Sequence, residues 1–538
     1  MIELGGALLA AAMLAALSAG GAAIYGGISG DRRWVDSSRR AVYGLAALLS
    51  AAVVLMEPAF LRDDFSFELV ATHSSTTTPT FYKLTAMWSS QEGSLLLWAW
   101  VLSLAASGVL FVTRRKHREV VPWATAVLMG IGAFFVGLML FKANPFTELS
   151  PAPPEGTGLT PLLRNPYMIV HPPALYTGYV LLSVPFAFAV GALIARRLDS
   201  AWIRSTRSFA LLAWCFLGLG LLLGSRWSYE ELGWGGYWGW DPVENAALMP
   251  WLIVTAYLHS IMVQERRGML KVWNVSLICG AFVLALLGTF LVRSGILESI
   301  HAFGASTVGG PLLGLIAVVA IGSTALIVAR LRDLQPERRI SSAFSREAIF
   351  LVNNLLLVGL AAVVFWGTFF PLIAEAFTGE RSSLGTPWFE RYVTPIGVAL
   401  VLFTGVGPLL AWGRFSAGAA RRVLLWPALG ALAAIVTLLA ASDAGQSFWA
   451  LLLFGFAAFT LIALGQEFWR AGAARRSLTG EPLARALPRA VGRNRRRYGG
   501  YVVHAGLAVM LIGIGASSSF QTNRDLRLDV GESASVGD

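Results

Sequence analysis

Two of the six histidines in the 538-residue chain, His259 and His504, fall inside long apolar stretches of the sequence. Ionisable side chains are costly to bury in a membrane, so those found there usually have a function. Each lies about five residues from one end of its stretch (near 243–264 and 499–519), which is ~8 Å along a helix. Two imidazoles at equal depth on two helices can supply both axial ligands of one haem iron.

The helical face of His504 also carries Gly500, Ala508 and Gly515, whose small size leaves room for a flat macrocycle. The same residues would let two helices pack closely, with each histidine hydrogen-bonded to a neighbouring helix. Taken singly, each histidine favours this second interpretation, whereas the matched depth of the pair adds weight to iron ligation. The sequence alone leaves both interpretations open.

A second pair, His171 and His301, lies outside the apolar stretches. His171 precedes Pro172 and Pro173 in IVHPPALYTGY, and His301 follows the eighth apolar stretch in LVRSGILESIHAFG. Proline is favourable in the first turn of a helix, which predicts that His171 lies at the membrane surface where a helix begins. The two residues are either a water-accessible pair of ligands or ordinary loop residues, and spacing does not decide between them.

The remaining histidines and both cysteines are predicted to have no chemical role. His117, in RRKHRE, is expected to be solvated, and His73, in THSSTTTP, to have a surface or interhelical role. Cys215 and Cys279 fall within apolar stretches and are expected to be small buried side chains.

Without a C-x-x-C motif the chain is predicted to be neither a thiol oxidoreductase nor a c-type cytochrome. No nucleophile triad or phosphate-binding loop is recognisable either, so any reaction must rely on positioning.

The densest aromatic feature is the outer loop 225–245, called here the aromatic loop, in which residues 233–245 read GWGGYWGWDPVEN. Aromatic faces separated by glycines can form a platform for a flat apolar ligand. The alternative is an interfacial aromatic belt, which explains scattered tryptophans but not alternation with glycine in one loop. The candidate platform residues are Trp234, Gly235, Gly236, Tyr237, Trp238, Trp240 and Asp241.

Asp241, Pro242 and Glu244 match the N-cap, N1 and N3 positions of a capping box. The main predicted role of Asp241 is therefore to begin the helix that carries His259, about 26 Å further along. A direct hydrogen bond from Asp241 to a ligand is the less favoured role.

The composition of the chain indicates the class of fold that positions these residues. The chain is 56% hydrophobic and 14% charged, with a mean hydropathy of +0.64, whereas soluble domains carry about 25% charged residues. Because lipid tolerates only segments that satisfy their own backbone hydrogen bonds, the predicted fold class is an all-α integral membrane protein, a polytopic helical bundle. The apolar stretches number about fourteen and lie near 3–27, 41–60, 93–112, 121–142, 172–195, 207–224, 243–264, 272–292, 311–330, 348–372, 393–412, 422–440, 447–465 and 499–519.

The net charge of +11 predicts an orientation rather than a nucleic-acid partner. Of the 42 Lys and Arg residues, 32 lie in alternate loops beginning with 28–40, and such loops are cytoplasmic. Both ends of the sequence are then extracytoplasmic. Residues 1–519 are predicted to form the transmembrane bundle, and 520–538 to begin an extracytoplasmic C-terminal segment. The outer loops are 61–92, 143–171, 225–242, 293–310 and 373–392.

At the aromatic loop the sequence resembles the tryptophan-rich WWD motif of haem-handling proteins of cytochrome c assembly. The wider pattern resembles the CcmF branch of that family over nearly the whole chain. The segments that carry this resemblance are HPPALYTGYV, WGWDPVENAALMPWLIVTAYLHS, FLVRSGILESIHAF, NNLLLVGLAAVVFWGTFFPL and RYGGYVVHAGLAVMLIGI.

The resemblance implies roles for individual residues. His171 and His301 would ligate a haem docked at the outer face, and His259 and His504 a permanent transmembrane haem b that takes electrons from quinol. The implied activity is haem lyase: the vinyl groups of the docked haem react with the thiols of a Cys-x-x-Cys-His segment in apocytochrome c.

The implied partners are a CcmE-like haem chaperone, apocytochrome c, and CcmH-like and CcmI-like proteins that keep the thiols of apocytochrome c reduced. The implied location is a bacterial plasma membrane.

Relatives continue into a larger outer segment and one more span, which predicts that this sequence is truncated before a fifteenth helix. Two alternatives are a haem transporter and a quinol-oxidising b-type redox protein without ligase activity. A transporter would favour broken spans and a polar site at the membrane midplane.

Overall fold

The computed structural model describes residues 1–232, 236–299, 307–338, 340, 342–413, 416–521 and 526–536. Within these residues the chain is helical, with a single isolated β-bridge between Phe67 and Glu148. Fourteen of the described helical segments are long and apolar enough to cross a membrane, which confirms the predicted fold class. Labelled α1 to α14, they are Ile2–Ser29, Arg32–Leu61, Gln91–Thr113, Val121–Phe141, Tyr167–Ala195, Ala201–Glu231, Pro242–Arg267, Lys271–Ser294, Gly309–Ala329, Arg346–Thr378, Thr386–Leu409, Ala417–Ala441, Phe448–Thr479 and Arg495–Phe520.

Several helices extend beyond the apolar stretches that predicted them. Helix α6, expected near 207–224, covers Ala201–Glu231, so residues 225–231 of the aromatic loop are helical. Hydropathy detects only the part of a helix that lies in lipid. The polar turns at each end keep their backbone hydrogen bonds in water as well, and so remain helical.

The chain divides into two compact units. The first comprises Met1–Arg338 and Ala361–Phe389, and the second comprises Arg339–Leu360 and Glu390–Asp538. The aromatic loop, His171 and His259 belong to the first unit, whereas His504 belongs to the second.

In the first unit, α5 and α6 pack closely because each presents a glycine to the other. A Cβ atom on Gly178 of α5 would lie 2.6 Å from Leu217 Cγ, and one on Gly220 of α6 would lie 2.5 Å from Leu175 Cδ2. Small residues let backbones approach in membranes, where packing rather than hydrophobicity drives helix association. This contact fixes α5, and therefore His171, against α6.

In the second unit, α11, α13 and α14 share a buried contact. Thr460 Oγ1 of α13 donates to the Val401 carbonyl of α11 at 2.8 Å, and Ala508 of α14 packs with Val401 and Ala457. The contact fixes the helix that carries His504.

The predicted burial of the cysteines is half right. Cys279 is buried, but Cys215 is exposed on α6. An apolar residue of a membrane helix can face lipid as well as protein, so hydropathy does not show which face is packed.

Candidate functional site

His171 is buried and its ring orientation is fixed. Its Nδ1 lies 2.7 Å from the Gly220 carbonyl oxygen of α6. Because a carbonyl oxygen can only accept, Nδ1 carries the proton and Nε2 carries the lone pair. A histidine that binds a metal usually donates its other ring N–H to a carbonyl or carboxylate in this way.

Gly224 completes the slot in which the His171 ring lies. A Cβ atom on Gly224 would stand 2.5 Å from His171 Cε1 and 2.8 Å from Nδ1. Gly220 and Gly224 are one helical turn apart, so a side chain at either position would push away the α5 backbone or the imidazole. Two glycines four residues apart on one helix are a sequence signal for such a slot. The sequence analysis did not identify this pair.

The predicted position of His171 at the start of a helix was wrong. Helix α5 begins at Tyr167, so His171 is buried within it, and Pro172 and Pro173 lie inside the helix. Pro172 has no N–H to donate to the Met168 carbonyl. The indole N–H of Trp88 donates to that oxygen instead, at 3.5 Å.

Residues 233–235 of the aromatic loop, and with them the platform residues Trp234 and Gly235, lie outside the described residues. Tyr237, Trp238 and Trp240 are all partly exposed. Trp240 has φ = +55°, and its ring stacks on Phe389 with centroids 4.7 Å apart and planes 3° apart. Trp238 meets Trp240 edge to face at 5.8 Å.

The contact of Trp240 with Phe389 has a structural consequence. One face of the Trp240 ring is occupied by protein, so this side chain anchors the loop as well as contributing aromatic surface. Phe389 was not among the predicted site residues, because nothing in the sequence indicates that the first turn of α11 contacts the loop.

The capping box at the start of α7 is confirmed. Asp241 accepts from the Val243 backbone N–H at 2.9 Å, and Glu244 accepts from the N–H groups of Gly239 and Asp241 at 3.0 and 3.1 Å. Glu244 thus holds the loop backbone on the helix N-terminus, as predicted for this set of residues.

Asp241 has a second contact that the sequence did not reveal. Ser299 Oγ donates to Asp241 Oδ2 at 2.7 Å. Ser299 comes two residues before His301 in the sequence, and His301 itself lies outside the described residues. The aromatic loop is therefore bonded to the segment that leads to His301.

If the chain attaches haem covalently, as the resemblance to CcmF implies, and this bond aligns the two segments, Ser299→Ala is expected to slow that attachment about tenfold. A hydrogen bond to a charged group is worth roughly 1.5–3 kcal/mol. Ser299→Thr should restore most of the rate, measured as haem-stained cytochrome c. Ser225→Ala is the matched control, because Ser225 Oγ donates to the Leu221 carbonyl within its own helix, α6. Equal rates for Ser299→Ala and the control would contradict the alignment.

Arg293, near the end of α8, is fully buried and connects three helices. Its Nη2 donates to Ser94 Oγ of α3 at 2.7 Å and to Tyr176 OH of α5 at 3.3 Å, and its Nη1 donates to the Thr289 carbonyl at 3.3 Å. The guanidinium therefore ties the end of α8, from which the chain continues toward His301, to the helix that carries His171. The sequence analysis missed this role because Arg293 lies one residue beyond the apolar stretch 272–292 and was assigned to the outer loop 293–310.

His259 lies on α7, eight residues before Arg267, about 12 Å from that helix end. Its Nδ1 is 2.8 Å from the Thr255 carbonyl oxygen, so Nε2 again carries the lone pair. One turn away, Thr255 Oγ1 accepts from the Trp214 indole at 2.8 Å, and Trp214 stacks on Trp251. The ring of His259 is thus held in one tautomer beside an ordered aromatic pair.

His504 lies on α14, nine residues after Arg495, about 14 Å from that helix end, and is partly buried. Two of the three small residues on its face serve helix packing: Ala508 is buried against α11 and α13, and a Cβ atom on Gly515 would collide with Leu453. Only Gly500 has open space beside it. The small-residue face therefore supports the packing interpretation at two positions.

The two other histidines lie in different surroundings. His117 was predicted to be solvated, but it is half-buried, with Nε2 2.6 Å from Ser205 Oγ, and burial lowers the pKa of its imidazole. His73 ends the short helix Glu68–His73, where its Nδ1 lies 3.3 Å from the Leu69 carbonyl. Burial lowers its pKa too. Within the described residues, no group of three or more His, Cys, Asp or Glu side chains forms a site for a metal ion.

Comparison with known proteins agrees with this architecture. Residues 88–298, which include His171, the aromatic loop and His259, match the Cytochrome C assembly protein family. The chain is 40% identical to the cytochrome c-type biogenesis protein CcmF of Pseudomonas aeruginosa, over 99% of this chain and 80% of the relative. It is 38% identical to CcmF of Escherichia coli K12, over 100% of this chain and 81% of that relative.

A solved structure of a cytochrome c heme lyase CcmF has the same fold, with a TM-score of 0.78. It is 33% identical and aligns with 96% of this chain and 77% of its own. Identity of 38–40% to curated relatives over nearly the whole of this chain and the fold shared with the solved structure lead to one assignment. The chain belongs to the CcmF family of cytochrome c-type biogenesis proteins.

Proposed function

We propose that this chain is the haem lyase component of cytochrome c maturation and acts on haem docked at the aromatic loop. The observation that carries the proposal is the geometry of His171. Its Nδ1 lies 2.7 Å from the Gly220 carbonyl oxygen, which leaves Nε2 with the lone pair that an iron would need. The aromatic loop is bonded, through Asp241 and Ser299, to the segment that leads to His301.

In this proposal His171 and His301 ligate the iron of the substrate haem. The aromatic side chains of the loop support the macrocycle, with Trp240 held in place by Phe389. Each substrate thiol adds across a haem vinyl group: the sulfur bonds to one vinyl carbon, the other vinyl carbon gains a proton, and no atom is lost. The chain contributes positioning, which can accelerate such a reaction greatly without a catalytic nucleophile.

The partners follow from the substrates. A CcmE-like chaperone would deliver the haem, and CcmH-like and CcmI-like proteins would present apocytochrome c with reduced thiols. The chain would lie in a bacterial plasma membrane with Met1 and the end of α14 on the extracytoplasmic side, because the loops rich in Lys and Arg remain cytoplasmic.

We further propose that His259 and His504 hold a permanent haem b within the membrane. His259 fits this role because its Nδ1–H is bound to the Thr255 carbonyl, which leaves Nε2 as the ligating nitrogen. Each histidine lies about 12–14 Å from the end of its own helix. Such a haem carries single electrons, and quinol is the proposed donor that keeps the docked haem reduced.

The proposal is tested with the purified chain and its partners reconstituted in vesicles with haem, quinol and apocytochrome c. The expected product is cytochrome c whose haem resists acid–acetone extraction. Haem that accumulates inside the vesicles without attachment would indicate a transporter instead. Reduction of haem b by quinol without attachment would indicate a redox protein. Either result, obtained with all partners present, would overturn the lyase assignment.

A further inference from the structure

A cleft of about 390 Å³ lies in the first unit at the helix ends opposite the aromatic loop. It is bounded by the start of α6, the end of α7, the start of α8 and the segment after α9. Five basic side chains from these four segments line it: Arg204, Arg266, Arg267, Lys271 and Arg338. None of the proposed haem chemistry uses this cleft.

Three carboxylates also line the cleft, but each is already engaged. Glu265 accepts two bonds from Arg207, at 2.8 and 3.0 Å, and Arg207 does not line the cleft. Glu337 accepts from Lys271 Nζ at 2.8 Å, and Asp199 accepts from the Ala201 backbone N–H at 2.6 Å. The cleft therefore carries an excess of positive charge.

Hydrogen bonds within the chain hold in place the wall of the cleft that is formed by the segment after α9. The Glu337 N–H donates to the Gly268 carbonyl at 3.1 Å, and the Glu337 carboxylate bonds to Lys271. Gly268 has φ = +65°, and a Cβ atom there would collide with the Glu337 carboxylate. These contacts attach the segment that carries Arg338 to the turn between α7 and α8, so Arg338 is held over the cleft without any ligand.

Two of the guanidinium groups remain available. Arg204 and Arg338 are exposed, and neither forms an ion pair with another part of the chain that the structure describes. Guanidinium groups bind phosphate oxygens through paired hydrogen bonds and are more weakly hydrated than ammonium groups. The cleft lies at the ends of spanning helices, which is the level of lipid headgroups, and basic pockets between such helices bind anionic headgroups.

From these contacts we propose that the cleft binds a phosphate-bearing anion through Arg204 and Arg338. The two sources of this chemistry are the headgroup of an anionic phospholipid and a soluble phosphate. Binding at this level would tie α6, α7 and α8 together at the ends opposite the aromatic loop.

The test uses the full chain purified in neutral detergent, with its melting temperature measured against added phosphatidylglycerol, phosphatidylcholine or inorganic phosphate. A ligand that binds only the folded protein raises the melting temperature in proportion to the logarithm of its concentration. We expect phosphatidylglycerol to raise it and phosphatidylcholine not to. A rise with inorganic phosphate alone supports the site with a soluble source.

The variant Arg204→Gln/Arg338→Gln should lose at least about tenfold in affinity, because it removes both guanidinium groups that bind the phosphate oxygens. The matched control is Arg32→Gln/Arg33→Gln, which removes the same charge from exposed residues at the start of α2. Native mass spectrometry would count bound phosphatidylglycerol independently of stability. The proposal is overturned if no anion stabilises the wild type, or if both double variants lose affinity equally.

Discussion

Replacing His171 with alanine should reduce covalent haem attachment by at least about 100-fold, because misplacing a reacting group by about 1 Å can cost that much. The variant removes a proposed iron ligand whose orientation is fixed by the Gly220 carbonyl. The measurement is the yield of haem-stained cytochrome c after equal expression. The b-type spectrum of the purified variant should remain, since His259 and His504 are unchanged.

The matched control is His73→Ala. Unlike His171, His73 is half-buried and lies outside the spans, at the end of the short helix Glu68–His73. It should leave attachment nearly unchanged. In His171→Gly, added imidazole should restore part of the yield, which a purely structural role would not allow. Full activity of His171→Ala would remove the outer ligand from the proposal.

The fold was predictable because lipid imposes a simple rule on sequence. A stretch of about 20 apolar residues must become a helix, and each of the fourteen predicted stretches does so. The capping residues Asp241 and Glu244 were equally predictable, because a capping box is a local interaction between neighbours in sequence. Helix ends were predicted less well, as α6 shows, because polar helical turns outside lipid have no hydropathy signal.

The support around the candidate site was not predictable in the same way. Ser299 and Phe389 contact the aromatic loop from positions 58 and 149 residues away from Asp241 and Trp240, and spacing carries no information about such distant pairs. The slot for His171 depends on Gly220 and Gly224 of another helix. The histidines could be chosen from the sequence because their chemistry is rare in a membrane, whereas the residues that orient them are chemically ordinary.

The second large effect is expected for the transmembrane pair: His259→Ala and His504→Ala should each abolish the b-type spectrum of the purified protein. Both histidines are needed in this proposal because each supplies one of the two axial ligands of the haem iron. The measurement is the reduced-minus-oxidised optical spectrum, with a pyridine assay for haem type. His117→Ala is the matched control, since His117 is half-buried, lies in the segment between α3 and α4, and is hydrogen-bonded to Ser205 of α6.

The two single variants also distinguish a shared iron from two separate roles. If both residues ligate one iron, each variant loses the same spectrum, and the double variant loses nothing further. If His504 instead serves helix packing, as Ala508 and Gly515 on its face do, then His504→Ala keeps the spectrum and lowers only the melting temperature. A haem-free wild type, prepared with ample haem, would refute the permanent cofactor and make a haem transporter the leading interpretation.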